Sequence, residues 1–592
     1  MIAVKSGRNS HPREDKALSG EQIARVLQQI ADLLAIKGEN AFKIRAYESA
    51  AEAVQASGLA FGRGIGLDEL VAIRGVGKGI AEKIKELVDE GRIGYLEELK
   101  QELPETLLDL LQIPTMGPKK VGAVFRELAV KTVDELEEAG RAQKLRSLPG
   151  FGATVEANIL HGIEFAKSRT GRHLLDRALE VASRILSILN ESGLPERTEY
   201  AGSLRRGKDT IGDLDILATC SEPAALMRVF VGMPSVEQVL AHGETKSSLV
   251  TDEGIQVDLR VVPEVSYGAA LQYFTGSQAH NVRLRGLAKA QGLKVNEYGI
   301  FEEGSDKFLG GQTEEEVYES VGLAWIPACL REDAGEFEAA AERRLPHLVQ
   351  LSDIKGDLHV HTNASDGVMT LDEAALTATQ LGYEYICISD HTKALAVANG
   401  LTEEELLEQA ERIAAYNDSH PRAAGLLSGC EVNILADGEP DISLEVLDRL
   451  DFVVGSVHTA LSQSEAKMTE RLIKAIECGS IDAIGHPTNR IIGKREESRF
   501  DLEAVFEAAI KHQVALEINC WPERLDLPDV YLRRARGKNI PICINTDSHN
   551  TTHLSSMMKY GVMTAQRGWV QSEQVINALP LKDLLGFLKR KG

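Results

Sequence analysis

The segment GDLHVHTNASDG, residues 356–367, places two His residues two positions apart and two Asp residues within twelve positions. Successive side chains of a strand point to opposite faces, so the two imidazoles of an H-x-H pair share one face. The segment overlaps the first of seven apolar runs, each of which has residue types able to bind metals at or near its C-terminal end. The runs are IKGDLHVH (354–361), YICISDH (385–391), LLSGCEV (426–432), FVVGSVH (452–458), IDAIGHP (481–487), VALEINC (514–520) and IPICINTDSH (540–549).

Amphipathic stretches of helical period separate these runs, for example TLDEAALTATQLG (370–382) and DLEAVFEAAIKH (501–512). Strands that alternate with helices form parallel sheets, and seven such units predict a distorted (β/α)7 barrel over residues 353–592. Barrel enzymes carry their chemistry at the C-terminal ends of the strands, where the polar residues fall here. The predicted metal ligands are His359, His361, Asp366, His391, Glu431, His458, His486, Asp547 and His549.

A lone member of this set, such as His486, would more often be a hydrogen-bonded core histidine than a metal ligand. Nine of them at matching strand ends are better explained as a site for two to three divalent ions, bridged by Glu431. Mixed imidazole and carboxylate ligands favour Zn, Mn or Fe over Ca or Mg. Such clusters activate water for phosphoester hydrolysis, with His359, His361 and Glu431 as the expected catalytic residues, although an amidohydrolase fits the same ligands.

A second carboxylate pattern lies in the middle of the chain. AGSLRRGKDTIGDLDIL (201–217) places Asp213 and Asp215 two apart on one face of a predicted strand, and Asp258 lies in the apolar run QVDLRVV (256–262). One Asp in such a run would more often be satisfied at a strand end than be a ligand. Three carboxylates together could hold two Mg or Mn ions that activate a primer 3′-hydroxyl and steady a triphosphate.

The turn before this strand offers groups that bind phosphate. Gly202 supplies a backbone N–H and Ser203 a hydroxyl, while Arg205 and Arg206 supply charge-assisted hydrogen bonds. The sequence therefore predicts a nucleotide site next to the carboxylates.

Residues 18–165 read as helices joined by short Gly-containing turns. The segments RGVGKGIAEKI (74–84), IPTMGPKKV (113–121) and LPGFGATV (148–155) each place a tight turn before a helix, which aims backbone N–H groups at one point, as phosphate binding requires. Three copies are a stronger signal than one Gly-x-Gly. In the second copy Thr115 stands where the others have Gly, so a positive φ would be strained there.

These turns resemble helix-hairpin-helix motifs, which grip the DNA backbone without reading sequence. GSLRRG, the D-x-D pair and YFTGSQAHNVRLRGLAKAQGLKVNEYGIF (273–301) closely resemble the family X DNA polymerases, and the ligand set of the barrel resembles the PHP domain of bacterial members. The resemblance covers almost the whole chain. It implies a helical N-terminal region, a nucleotidyltransferase palm and a C-terminal PHP barrel, in a multidomain α+β and α/β protein.

The resemblance also implies roles for individual residues. Asp213, Asp215 and Asp258 would be catalytic, and Arg285 would contact the template strand. The nucleotide would be bound by Gly202, Ser203, Arg206, Tyr273, Phe274, Gly276 and Asn281, of which Asn281 would touch the base edge. DNA would also be bound by the hairpin residues Gly75, Gly77, Gly117, Gly150 and Gly152.

A lyase activity is a further implication. Lys83 aligns with the amine that forms a Schiff base with a 5′-deoxyribose phosphate in the family, and Lys43, Arg45 and Tyr47 would contact that phosphate. Lys83 also fits a solvated helix residue, and Gly79 stands where a Lys is common.

The expected domains are residues 1–100 (helical, DNA-binding), 101–170 (fingers-like), 171–262 (palm), 263–335 (nucleotide selection), 336–352 (linker) and 353–592 (PHP). We expect a gap-filling DNA polymerase of base excision repair with a 3′-5′ exonuclease or other 3′-end phosphoesterase, acting on gapped or primed DNA with deoxynucleoside triphosphates. The alternatives are a DNA-end binding protein with a structural barrel, and a small-molecule phosphoesterase on a DNA-binding arm.

Composition bounds these interpretations. A chain of 592 residues is long enough for three or four domains, and its net charge of −23 argues against a generally cationic nucleic-acid binder. Positive charge is local. Residues 280–294 contain no acidic residue and four cationic ones, Arg283, Arg285, Lys289 and Lys294. Near the barrel ligands, Lys393 and Arg490 could bind a substrate phosphate or could be solvated surface residues. The seven Cys are scattered and include no C-x-x-C pair, which predicts reduced thiols. The chain has no membrane-length apolar run and no signal-peptide core, which predicts a cytoplasmic protein without a membrane partner. We also expect a monomer.

Overall fold

The computed structural model describes residues 18–588, apart from 57–59, 63, 74, 112, 114–115, 169–170, 396–397, 493–494 and 496. The chain divides into two compact units, Met1–Arg172 and His173–Gly592. All seven Cys are unpaired, as their spacing predicts. Among the described helices, none is both long and apolar enough to span a lipid bilayer.

The first unit is helical. Its first helix, α1 (Gly20–Lys37), buries Ile23, Leu27, Ile30 and Leu34, which recur every three or four residues and form one stripe against the other helices. A short antiparallel pair, β1 (Leu18–Ser19) and β2 (Ala60–Phe61), closes one end. The helices are α1 (Gly20–Lys37), α2 (Ala41–Ala56), α3 (Leu67–Ala72), α4 (Lys78–Glu90), α5 (Gly94–Glu102), α6 (Leu107–Leu110), α7 (Pro118–Leu128), α8 (Val133–Arg141) and α9 (Ala153–Ser168).

The second unit begins with the palm, a five-stranded sheet in the order β4 (Pro195–Tyr200), β6 (Asp213–Cys220), β9 (Gln256–Val261), β8 (Lys246–Thr251) and β7 (Val236–His242). In it β6 and β9 run parallel, and the other neighbours run antiparallel. The palm elements are β3 (His173–Leu174), α10 (Leu175–Glu191), β4 (Pro195–Tyr200), α11 (Gly202–Arg205), β5 (Thr210–Ile211), β6 (Asp213–Cys220), α12 (Pro223–Val231), β7 (Val236–His242), β8 (Lys246–Thr251) and β9 (Gln256–Val261).

Helices and a small antiparallel sheet follow the palm. They are α13 (Tyr267–Thr275), α14 (Gln278–Ala290), β10 (Leu293–Asn296), β11 (Gly299–Glu302), β12 (Phe308–Gly310), α15 (Glu314–Glu319) and α16 (Glu336–Ala341). The predicted linker helix is the short α16, and it is packed rather than free. Its Phe337 and Ala340 lie in one core cluster with Leu284, and its fully buried Glu336 accepts a hydrogen bond from His280 at 2.8 Å.

The barrel has the seven predicted strands in sequential order, all parallel. The first and last strands also meet, because Leu358 N donates to Asn545 Oδ1 and His361 N donates to Ser548 O. The prediction of a (β/α)7 barrel is confirmed. Its elements are β13 (Gly356–Val360), α17 (Leu371–Leu381), β14 (Tyr385–Ile388), α18 (Glu403–Ser419), β15 (Gly425–Asn433), α19 (Leu444–Leu447), β16 (Phe452–Ser456), α20 (Glu465–Glu477), β17 (Ala483–Ile484), α21 (Leu502–His512), β18 (Ala515–Asn519), α22 (Asp529–Arg534), β19 (Ile542–Asn545), α23 (Thr551–Ser556), α24 (Met558–Arg567) and α25 (Leu581–Leu588).

Palm and barrel share a core within the second unit. Leu525 and Tyr560 of the barrel lie in the same buried cluster as Leu214 and Leu259 of the palm strands. The two parts are therefore packed against each other through apolar side chains.

Candidate active sites

Three carboxylates lie on two neighbouring inner strands of the palm sheet. Asp215 of β6 lies opposite Asp258 of β9, and Asp213 shares the face of β6 that carries Asp215. Burial, followed by the negative charges of Asp213 and Asp258, raises the pKa of Asp215 to about 6. Lys246 Nζ lies 3.1 Å from Asp258 Oδ2 and offsets part of this repulsion. Carboxylate oxygens are ligands that divalent cations such as Mg prefer, although among the described residues these three do not form a group whose ligand atoms all lie within 4.8 Å of one another.

A cavity of about 340 Å³ opens beside these carboxylates. All seven residues predicted to bind a nucleotide line it, as does Arg285, which was predicted to contact DNA. Gln278 also lines the cavity, although no sequence motif singled it out. The lining consists of Gly202, Ser203, Arg206, Asp215, Tyr273, Phe274, Gly276, Gln278, Asn281 and Arg285.

The start of α11 depends on a glycine. Gly202 has a φ of 63°, and a Cβ built on it would lie 2.8 Å from Asp215 Oδ2. The neighbouring Ala201 N donates to the Asp215 backbone carbonyl at 2.7 Å. The turn thus packs directly on the carboxylate strand, which only a residue without a side chain permits.

Hydrogen bonds between α13 and α14 hold the far wall of the cavity in place. Asn281 Nδ2 donates to the Tyr273 carbonyl at 2.6 Å, and Gln272 Nε2 donates to Asn281 Oδ1 at 2.8 Å. The rings of Tyr273 and Phe274 meet edge to face, with centroids 5.2 Å apart. The Asn281 amide is therefore fixed in orientation before any ligand binds.

The two arginines of the GSLRRG turn have different partners. Arg206 lines the cavity, whereas Arg205 donates to both carboxylate oxygens of Glu314 at 2.7 and 2.9 Å and to Thr275 Oγ1 at 2.8 Å. Arg205 does not line the cavity, so its predicted contact with phosphate has no support in this geometry and stays a prediction.

The barrel brings its predicted ligands together at the C-terminal ends of the strands. Among the described residues, three groups have ligand atoms within 4.8 Å of one another, and His361 and His391 each belong to two groups. The ninth predicted ligand, His486, lies beside them, with Nε2 3.0 Å from Glu431 Oε1. The groups are His361, Asp366, His391 and His549; His359, His361 and Asp547; and His391, Glu431 and His458.

Glu431 is the centre of this cluster. Its carboxylate oxygens lie 2.8 Å from His391 Nδ1, 3.2 Å from His458 Nε2 and 3.5 Å from His359 Nε2. Burial alone would raise the pKa of Glu431, but the surrounding imidazoles hold it well below its usual range. A carboxylate that stays ionised among several imidazoles fits the bridging position of a multi-metal site.

Buried ligand atoms without partners support the same conclusion. In the part of the chain that the structure describes, His359 Nε2, both ring nitrogens of His361 and Glu431 Oε2 are buried and make no hydrogen bond of good geometry, although Glu431 Oε2 lies 2.8 Å from His391 Nδ1. Each unsatisfied buried polar group costs about 1–3 kcal/mol. Several such groups at one point indicate that a bound ion supplies their missing partner. The donor set of imidazole nitrogens and carboxylate oxygens fits transition-metal ions.

The cations predicted near the cluster are engaged elsewhere. Arg490 pairs with Asp209 of the palm at 3.1 Å and donates to the carbonyls of Arg524 and Leu525. Lys393 pairs with Glu403 at 3.1 Å. Arg490 thus holds the barrel to the palm, which the sequence could not show because its partner is 281 residues away.

Comparisons with known proteins match each of these parts. Family models match residues 20–93 (helix-hairpin-helix domain), 107–164 (SAM-like helix-hairpin-helix tandem), 270–332 (DNA polymerase beta thumb) and 357–520 (PHP domain). The DNA polymerase/3′-5′ exonuclease PolX of Bacillus subtilis is 37% identical over 572 residues, which is 96% of this chain and 99% of the relative. The chain belongs to the PolX family, the family X DNA polymerases with a PHP domain.

Other relatives match parts of this PolX chain. DNA polymerase lambda of Rattus norvegicus is 24% identical over 287 residues, 43% of the chain and 47% of the relative. A protein of Vibrio atlanticus named as a probable phosphatase is 28% identical over 251 residues, 40% of the chain and 95% of the relative.

Two buried residues of this PolX chain that sequence analysis missed orient the barrel ligands. Glu517 Oε1 lies 2.7 Å from His359 Nδ1, and its other oxygen accepts from His486 N at 2.7 Å. Asn433 Oδ1 lies 2.8 Å from His458 Nδ1. The signal was present for Glu517, a lone acid inside the apolar run VALEINC, because a buried acid requires a partner.

The hairpin turns of the first unit share one geometry. In each, the residue that ends the turn donates to the carbonyl three residues earlier: Val76 to Ile73, Met116 to Ile113 and Phe151 to Leu148, at 2.9–3.0 Å. The glycines that follow, Gly77, Gly117 and Gly152, have open space where a Cβ would point. Gly75 and Gly150 have positive φ, while Thr115 lies outside the described residues.

Three of the four predicted lyase residues lie around Tyr95. Lys43 Nζ and Lys83 Nζ each lie 5.1 Å from the centroid of its ring, and Tyr47 stacks on it with centroids 6.4 Å apart. Arg45 is exposed, whereas Tyr47 is buried. The role of Lys83 stays a prediction.

Proposed function

We propose that this chain fills short DNA gaps with its palm cavity and hydrolyses phosphoesters at DNA 3′ ends with its barrel. The observation that carries the proposal is the convergence of the seven predicted nucleotide-binding residues on one cavity beside Asp215. The likeness to a relative named as both a polymerase and a 3′-5′ exonuclease supports the pairing of activities. Its place is base excision repair, on gapped or primed DNA.

In the palm, the residues divide by the part of the nucleotide that they face. Ser203 and Arg206 hold the triphosphate, because the Ser203 hydroxyl in α11 and the Arg206 guanidinium just after this helix are groups that bind phosphate oxygens. Asn281, fixed by Gln272, faces the base edge. The sugar lies against Tyr273, Phe274 and Gly276, and Arg285, exposed on α14, contacts the template strand.

Asp213, Asp215 and Asp258 would hold Mg or Mn. When bound, these ions supply activation of the primer 3′-hydroxyl and neutralisation of the triphosphate. The pKa of Asp215 is raised first by burial and then by the charges of Asp213 and Asp258, and this supports the assignment because a bound cation would relieve that repulsion.

In the barrel, the nine predicted ligands would hold two to three Zn, Mn or Fe ions. When bound, the ions supply an activated water and a clamp on the phosphoester oxygens. The protein contributes orientation: Glu517 fixes the His359 ring through Nδ1 and leaves Nε2 directed at Glu431 and Asp547, at 3.5 and 3.6 Å.

The N-terminal unit supplies DNA affinity that does not depend on sequence. Three turns with the same hydrogen bond each present a helix start to open space at Gly77, Gly117 and Gly152. Backbone N–H groups at such starts bind phosphate oxygens. They would contact the duplex that flanks the gap.

The test uses purified full-length protein, 5′-labelled primer on one-nucleotide-gapped DNA, and Mn or Mg, with and without nucleotides. The wild type should extend the primer with nucleotides and shorten it without them. Asp213→Ala should lose extension alone, and His359→Ala should lose shortening alone, because each removes a ligand from one site only.

Two outcomes would favour other functions. Shortening that survives His359→Ala would place the hydrolysis outside the barrel. Hydrolysis of a free phosphomonoester such as p-nitrophenyl phosphate, together with intact DNA ends, would favour a small-molecule phosphoesterase carried on a DNA-binding arm.

A further inference from the structure

Arg206 is held by two protein groups at the edge of the nucleotide cavity. Its Nη1 donates to the carbonyl of Thr275, and its Nε donates to Glu332 Oε1 at 3.0 Å. These two contacts fix the plane of the guanidinium, which is only 12% exposed. The direction in which the remaining N–H groups point is therefore set by where Glu332 stands.

Glu332 is itself shared. The oxygen that accepts from Arg206 also accepts from Arg567 Nη1 at 3.1 Å, and Lys208 Nζ lies 3.8 Å away. Burial would raise the pKa of Glu332, but the charges of Arg567, Arg206 and Lys208 lower it. Glu332 Oε1 thus accepts hydrogen bonds both from Arg206 of the palm and from Arg567 of the barrel.

Arg567 completes the chain of contacts from the barrel. It lies at the end of α24 and is 2% exposed, and its Nη2 donates to Asp529 Oδ2 of α22 at 2.8 Å. Its Nη1 also donates to the backbone carbonyl of Arg206 at 2.8 Å. Arg567 therefore touches both the main chain of Arg206 and the carboxylate that orients its side chain.

The turn that carries Arg206 rests directly on α24. A Cβ at Gly207, which has a φ of 68°, would lie 3.2 Å from Met563 Cε and 3.6 Å from Arg567 Cδ. The barrel helix is thus in van der Waals contact with the residue after Arg206. A change in the Arg567 side chain acts on the turn through this contact as well as through Glu332.

We infer that Arg567 is a positioning residue of the polymerase site, through which the barrel sets the orientation of the triphosphate-binding Arg206. The inference rests on the proposed function, because Arg206 acts on a triphosphate only if the palm is a polymerase. An apolar residue could fill the same space between palm and barrel. The buried charge is explained by its hydrogen bonds to Arg206 and Glu332, since a buried ion pair gives little net stability compared with apolar packing.

The experiment measures single-nucleotide insertion on one-nucleotide-gapped DNA with full-length wild type, Arg567→Ala, Arg567→Lys, Glu332→Gln and the double variant Arg567→Ala/Glu332→Gln. Arg567→Ala should raise KM for the incoming nucleotide about tenfold with a smaller fall in kcat, because the charge-assisted contact to the triphosphate is misdirected. Glu332→Gln should show the same shift. The double variant should lose no more than either single variant, since both act through Arg206.

Arg567→Lys should recover part of the loss, because one ammonium keeps the charge but cannot donate to three acceptors in the guanidinium geometry. Asp209→Asn is the matched control. It removes the other ion pair between palm and barrel, 3.1 Å from Arg490, without touching Arg206, and should leave KM unchanged. Shortening of the primer without nucleotides should be unchanged in the Arg567 variants.

Unchanged KM in Arg567→Ala and Glu332→Gln, in protein that still extends primers, would overturn the inference alone. Equal losses in Asp209→Asn, or fully additive losses in the double variant, would also overturn it, since they indicate a general weakening of the interface. No extension by wild type would instead reject the proposed function and the inference with it. Because Glu332→Gln keeps the shape of the side chain, it decides the matter if Arg567→Ala does not fold.

Discussion

Gly202 has a backbone conformation that a side chain would strain, and it packs against the carboxylate of Asp215. With a φ of 63° and 2.8 Å between an added Cβ and Asp215 Oδ2, Gly202→Ala combines two penalties. The left-handed backbone costs about 1–2 kcal/mol, and displacement of Asp215 should slow primer extension by about 100-fold. Single-turnover extension on gapped DNA measures the second effect.

Gly193→Ala separates the two penalties. Gly193 has a φ of 67°, but nothing lies within 4 Å of its added Cβ. It should show the same loss of stability and keep its extension rate. Equal slowing of both variants would mean that strain, rather than the contact with Asp215, limits the reaction.

Glu517 offers the corresponding test in the barrel. Glu517→Gln keeps the size of the side chain but removes the charge beside His359 Nδ1, at 2.7 Å. Because a ligand held by a carboxylate is better oriented and more basic, we expect metal affinity and primer shortening to fall about 10- to 100-fold. Bound metal is measured by elemental analysis after dialysis, and primer extension by the same protein serves as the internal control. Normal metal content with normal shortening would contradict this role.

At the scale of elements, α15 is tied to its neighbours by one acid. Glu314 accepts from Arg205 at 2.7 Å and from the fully buried Arg331 at 2.6 Å. Burial raises the pKa of Glu314, but the charges of Arg331 and Arg205 outweigh it and lower the pKa from 4.5 to about 2. A lowered pKa means that the folded state binds the proton less tightly than the unfolded state, so the pair stabilises the fold above pH 4.5 and this contribution is lost as the pH falls towards 2.

Glu314→Gln should therefore destabilise the second unit by about 3 kcal/mol at pH 7, and the difference from wild type should shrink between pH 4.5 and pH 3. Urea unfolding of both proteins at pH 7, 4.5 and 3 measures it. Glu315→Gln, on the same helix, is the control, and its difference from wild type should stay small at every pH. A difference for Glu314→Gln that does not depend on pH would show that packing, not ionisation, is what the variant loses.

Elements whose signals are local could be predicted. All seven barrel strands were predicted, and six of their apolar runs carry a predicted ligand within ten or fewer consecutive residues. The exception is β18, whose buried Glu517 was not singled out. Contacts between distant residues could not. Arg205 and Arg206 are adjacent in sequence, and only Glu314, 109 residues away, separates their roles. Likewise the sequence of α16 is typical of a linker helix, and the packing of its Glu336 depends on His280, which is 56 residues away.

At the scale of the molecule, palm and barrel share one core. Because Leu525 and Tyr560 of the barrel pack with palm residues such as Leu214, the unit His173–Gly592 should unfold in a single transition. Scanning calorimetry of the whole chain should then resolve at most two transitions, one for each unit. Separate transitions for palm and barrel would show that the shared core is too weak to couple them.

The meeting of the first and last barrel strands also has a consequence for how the protein is made. Thr546 lies 189 residues after its partner Asp357, and Asp547 and His549 complete a ligand set that begins at His359. A nascent chain that stops before β19 carries seven of the nine predicted ligands but not the strand that closes the barrel, and it has not yet formed α24, on which the GSLRRG turn rests. Vectorial synthesis thus delays the ligand cluster of the barrel until translation has passed residue 549, and a message broken upstream cannot yield the complete cluster.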